Sequence, residues 1–145
     1  IGKGFALDQL RALLVDWGAE GGLVASGAST LLAFGPAEWP VDLTGDADVR
    51  RISLSGGALS ASGTGIQGSH IVDPRGRESG SGASRLWVLT ESAAVGDAMS
   101  TAMMLMERGE MEEFLAVEEL VEAAFVDAGG KVEETAWPAS ATRWR

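Results

Sequence analysis

The sequence predicts an α+β domain in which a few helices pack on a mixed or antiparallel sheet, and three observations predict it. Two stretches, 5–17 and 92–109, space their apolar residues as a helix does. Short apolar runs punctuated by Gly, Ser and Asp fill the chain between and after them, as strands and turns do. These helices and strands do not alternate in a regular βαβ series, which argues against a parallel doubly wound sheet.

Taken in order, "FALDQLRALLVDWGAEGG" places Phe5, Leu7, Leu10, Leu13, Leu14 and Trp17 at helical spacing, with Gly18 as the stop. "LVASGASTLLAFG" reads as two short strands around a small-residue turn from Ser26 to Thr30. "WPVDL" and "RRISLS" follow as strands joined by the polar "TGDAD". From Ser53 to Gly68 the chain is mostly Gly, Ser and Ala, which reads as a loop region, and "SHIVD" restores strand character. A second loop, Arg75 to Ser84, leads to the strand "RLWVLT". "SAAVGDAMSTAMMLMERG" is then expected as one helix, N-capped by Ser92 and ended by Gly109. In "MEEFLAVEELVEAAFVDAGGKVEET" the first part has helical periodicity and the rest suggests a hairpin with a glycine turn.

Composition narrows the function. With 145 residues, 46% of them hydrophobic, the chain is long enough to bury one core. A formal net charge of −10 argues against a nucleic-acid or anionic-membrane surface. The absence of cysteine excludes disulfides, thiolate zinc sites and thiol nucleophiles. No apolar run approaches the roughly 20 residues of a transmembrane helix. There is no "GxSxG" elbow and no acid assignable to the single histidine, so a hydrolase triad is unsupported.

A few residues remain with chemistry to offer. Asp97 and Thr101 are four apart on the second helix and so share a face. A carboxylate and a hydroxyl so placed can supply two oxygens to Mg²⁺, a hard cation that takes few protein ligands. The same pair also suits a solvated helix face. Lys3 sits between two glycines just before the first helix, where a cation and backbone amides favour phosphate; an exposed lysine is the plainer reading. "SGAST" and "LSASGTG" are small-residue loops that let a ligand come close to the backbone. The stripe Met99, Met103, Met104 and Met106 reads as core. His70, the only histidine, opens the apolar run of "SHIVDP" and suits either a satisfied core position or a ligand site at a strand end.

The order of these pieces carries a resemblance. "GKGFALD" at 2–8, "LVASGAST…LAFG" at 23–35, "ALSASG" at 58–63, "SHIVDPR" at 69–75 and "DAMSTAMMLM" at 97–106 succeed one another as in the ApbE family, the FAD:protein FMN transferases. The chain resembles roughly the C-terminal portion of such a domain, which implies a T-fold-like half. The resemblance further implies Mg²⁺-dependent transfer of FMN from FAD to a Thr or Ser hydroxyl of an acceptor protein, with release of AMP. It makes Asp97 and Thr101 the side-chain ligands of Mg²⁺, and Lys3, His70 and Val72 contacts of FAD, with His70 at the pyrophosphate as the catalytic residue. It also implies a companion N-terminal portion, and a periplasmic or membrane-associated setting. A relative that binds flavin or a partner without transferring it is the alternative.

Overall fold

The computed structural model describes residues 1–63, 73, 75–76, 83–117 and 119–134. Helix α1 spans Gly2–Asp16 and is followed by strands β1 (Gly22–Ser26), β2 (Thr30–Phe34), β3 (Trp39–Thr44), β4 (Val49–Leu54) and β5 (Gly57–Gly63). Strand β6 (Arg85–Thr90), helices α2 (Ala93–Met103) and α3 (Arg108–Val117), and strands β7 (Val121–Ala128) and β8 (Lys131–Glu134) complete the order. The main sheet runs β1-β2-β5-β6-β7-β8 and β3-β4 form a separate ribbon, with every pairing antiparallel. The α+β expectation is met.

The period of two in β6 explains the layering. Leu86 and Val88 face a cluster with Met103, Met104, Met111 and Leu115 of the helical layer. Trp87 and Leu89 point the other way, into a cluster with Leu43 and Leu54 of the ribbon. A third cluster, Leu7, Leu32, Ala58 and Ala93, holds α1 against α2 and the sheet. The sheet is therefore covered by helices on one face and by the ribbon on the other.

Most elements fall where the sequence places them, and three differ. Lys3 lies in the first turn of α1 rather than before it. The Gly/Ser/Ala-rich stretch after Ser53 contains β5, a central strand. Small residues suit it because α2 crosses directly above: a Cβ on Gly96 would stand 2.6 Å from Ser60 Oγ and 2.7 Å from Thr90 Oγ1. The expected helix 92–109 divides at Met103, and Gly109 lies inside α3 instead of ending α2. Short turn bonds, Leu105 N–H to Ala102 O and Met106 N–H to Met103 O, tighten the chain there. Arg75 donates to Leu105 O at 3.0 Å, and the bend lets Met111 and Leu115 join the core. The hairpin β7-β8 forms as expected, with Gly129 at φ +63° and Gly130 at φ +91°. Among the described residues no helix is long and apolar enough to cross a membrane.

Candidate active site

The N-terminus of α1, the β1-β2 turn, the ends of β5 and β6, and the second and third turns of α2 converge on one cleft of about 920 Å³. That volume falls in the range of clefts that hold small organic ligands. Lys3, Asp97 and Thr101 all line it. Lys3 and Asp97 are 94 positions apart in sequence, so only folding brings them together.

Close helix packing makes this possible. A Cβ at Gly4 would lie 2.1 Å from Ala93 O, so α1 and α2 touch backbone to backbone at this glycine. Asp8, one turn on, reaches across to the start of α2. Its carboxylate accepts from Ala93 N–H at 3.0 Å, Ala94 N–H at 3.0 Å and Ser92 Oγ at 2.7 Å. Ser92 Oγ is itself an N-cap, accepting from Val95 N–H at 3.4 Å. The α2 amides left without helical partners are thus satisfied from two helices at once.

Asp97 faces the beginning of α1. Its Oδ2 accepts from Gly4 N–H at 3.3 Å and lies 2.7 Å from the Ile1 nitrogen, and its side chain is only 17% exposed. Thr101 Oγ1 donates to Asp97 O at 3.1 Å, which turns its proton toward the helix and leaves lone pairs for the cleft. Ser62 Oγ lies 3.2 Å from Thr101 Oγ1 and 3.0 Å from Ser100 Oγ, joining β5 to α2. A largely buried carboxylate next to a hydroxyl oxygen is a donor set of hard oxygens. Among the described residues no group of three or more His, Cys, Asp or Glu could hold a metal. A metal here would rest on few protein ligands, the situation Mg²⁺ accepts and transition metals do not favour.

The two small-residue stretches expected to admit a ligand line the walls, together with four residues the sequence reading did not single out, Asp42, Thr44, Arg85 and Trp87. Asp42 and Thr44 of β3, Ser62 and Gly63 of β5, and Arg85 and Trp87 of β6 line the cleft with the small turn Ser26–Ser29. Arg51 donates to both carboxylate oxygens of Asp42 at 2.7 and 2.8 Å. That hydrogen bonding, more than charge alone, holds the Asp42 carboxyl below its ordinary value and lifts Arg51 above its own. Arg85 donates from Nη1 to Thr44 O at 2.8 Å, and its guanidinium carbon lies 5.7 Å from the Trp87 ring centre. No spacing rule marks such positions, because their common feature is a place at one end of the sheet.

His70 and Val72 lie outside the described residues. Asp73 and Arg75, which follow them, hold each other. Arg75 N–H and Nε both donate to Asp73 Oδ1, at 2.8 and 2.9 Å, while the Asp73 side chain is 1% exposed.

The sequence model of the ApbE family matches residues 1–126. No curated relative matches the sequence. Among solved structures the chain is similar to the flavin transferase ApbE of Vibrio cholerae, at 22% identity and a TM-score of 0.78 over 94% of this chain and 48% of that one. It is similar to the flavinyl transferase ApbE of Pseudomonas stutzeri, solved in its apo form, at 23% identity and 0.77 over 93% and 47%. The ApbE protein of Thermotoga maritima aligns at 25% identity and 0.72 over 93% and 49%. The chain thus spans about half the length of these solved structures.

Proposed function

The chain belongs to the ApbE family, and from that premise we propose that it carries part of a flavin transferase site that moves FMN from FAD to a Thr or Ser hydroxyl of an acceptor protein. In the balanced step the acceptor oxygen attacks the phosphorus next to the flavin half of FAD. A new P–O bond forms, the P–O bond to the adenylate phosphate breaks, and AMP departs with the released charge. The acceptor's hydroxyl proton goes to a base, a role we assign to His70, since an imidazole can both take and return a proton.

The observation that carries the proposal is the meeting of Lys3, Asp97 and Thr101 in one cleft. Asp97 and Thr101 are the residues that would hold Mg²⁺, which when bound neutralises charge growing on the phosphoryl oxygens. Lys3 and the first amides of α1 present positive charge to the same space, as suits a pyrophosphate. The small turn Ser26–Ser29 and Gly63 leave room for a dinucleotide to lie against the backbone.

A companion portion of the domain, on the same or another polypeptide, fits the uncovered face of α1. Ala6, Leu10, Leu13 and Trp17 follow one another at helical spacing and are all exposed, Trp17 at 76%. Apolar stripes of this kind are normally covered.

Native mass spectrometry with FAD and Mg²⁺, followed by assay against a threonine-bearing acceptor peptide, tests the function. A peptide heavier by one FMN less a water, with AMP released in equal amount, is the expected product. FAD left intact, with or without the companion portion, would overturn the reading.

A further inference from the structure

We propose that Arg85 is a phosphate-binding residue of the cleft, gripping the anionic bridge of the dinucleotide from the side opposite Lys3; this rests on the flavin-transferase reading above. Three observations point to it. The first is charge. Arg50, Arg51, Arg75 and Arg108 each face a carboxylate, within 2.6 to 3.3 Å. Arg11 and Arg85 face none among the described residues, and of the two only Arg85 lines the cleft, in a protein with 21 acidic side chains against 11 basic ones. Asp42, an acid of the same cleft wall, is engaged bidentately by Arg51. An arginine with no carboxylate partner among the described residues, in a cleft of so acidic a chain, is placed to receive an anion from outside.

The second observation is preorganisation. One guanidinium nitrogen is fixed on Thr44 O and the group lies over the Trp87 ring, itself only 5% exposed. These contacts engage one N–H and one face, leaving the remaining donors of the fork available. Gly63 makes room for the stem: a Cβ there would stand 3.4 Å from Arg85 Cγ and 2.8 Å from Ser84 O.

The third is location. Gly63 pairs directly with Arg85 across β5 and β6, and the preceding residue, Ser62, touches Thr101. Ser62 faces the helices and Arg85 the ribbon, so Arg85 and the candidate metal pair line the same cleft from the two faces of the sheet, and a dinucleotide held there meets both.

Fluorescence and calorimetric titration of the parent chain, Arg85→Met and Arg85→Lys with FAD, ADP and riboflavin at two salt concentrations tests this. Circular dichroism serves as a folding check. We expect Arg85→Met to weaken FAD and ADP about tenfold to a hundredfold, with a shallower salt dependence, and to leave riboflavin unchanged. Arg85→Lys should recover part of the affinity. A strut joining β6 to Thr44 would instead lower the melting temperature and move all three ligands alike, or none. Undiminished FAD and ADP binding by folded Arg85→Met would overturn the assignment while leaving the transferase reading standing. ADP bound through Arg85 with no affinity for FAD would uphold the phosphate site and overturn the flavin reading. Failure to bind any of the three, with or without the companion portion, overturns both.

Discussion

The backbone amide of Gly4 donates to the carboxylate of Asp97, joining the first turn of α1 to the middle of α2 across 93 positions of sequence. The glycine is needed for more than this bond, because a methyl group there would sit 2.1 Å from Ala93 O. Gly4→Ala must therefore push the two helices apart. We expect a loss of about 1–3 kcal/mol in urea unfolding, the usual cost of overpacking a tight contact. Unchanged stability would show that α1 does not sit this close to α2.

Asp97→Asn preserves shape and removes the negative charge. If Asp97 holds Mg²⁺, AMP release should fall by about a thousandfold, since a metal stabilises such transition states by several kcal/mol. Thr101→Ala should cost less, and Thr101→Ser should retain most activity because the oxygen remains. Magnesium titration of each variant checks this; full Mg²⁺-dependent turnover by Asp97→Asn would remove the metal assignment.

Asp8 caps a helix that it does not belong to. Asp8→Ala strips Ala93 and Ala94 of their N–H acceptor and Ser92 of a partner. A stability loss of about 1–2 kcal/mol is expected, at the upper end for a single N-cap because two amides are served. The melting curve reads it directly, and Asp8→Asn should restore part of the loss.

The Asp42–Arg51 pair on the ribbon sets a pH dependence. The hydrogen bonds from Arg51 lower the Asp42 pKa below its ordinary 3.8. A depressed carboxyl stabilises the fold above its unfolded pKa, and that contribution is lost as pH falls through the folded value. The effect is confined to the acid side, and at neutral pH this solvated pair adds little. Carboxyl ¹³C titration should show Asp42 moving up toward 3.8 in Arg51→Met. An unmoved titration would mean that the pair does not persist in solution.

Elements with a local cause were legible in the sequence. Gly18, at φ +88°, stops α1 where expected, and the glycine pair 129–130 turns the last hairpin. Strand β5 was hidden because its Gly, Ala and Ser carry no hydrophobic period, only the small volume that α2 requires above them. The break after Met103 was equally hidden, since the residues beyond it keep helical spacing and the turn is held by Arg75, a distant residue. In the site, the spacing of Asp97 and Thr101 was visible because four residues on a helix always share a face.

The sequence alone therefore determined the end of α1, the N-cap of α2 and the last hairpin turn, the α+β class, and a carboxylate and hydroxyl paired along one helix face, all of which depend on residues a few positions apart. Only the tertiary structure decided which elements cross, and with them the wall of Asp42, Ser62 and Arg85 and the packing of Gly4 on Ala93. The reason is physical: backbone dihedrals, caps and side-chain periodicity act over one or two turns. Contacts between α1 and α2, or between β5 and β6, depend on how whole faces pack to exclude water, and no short stretch encodes that.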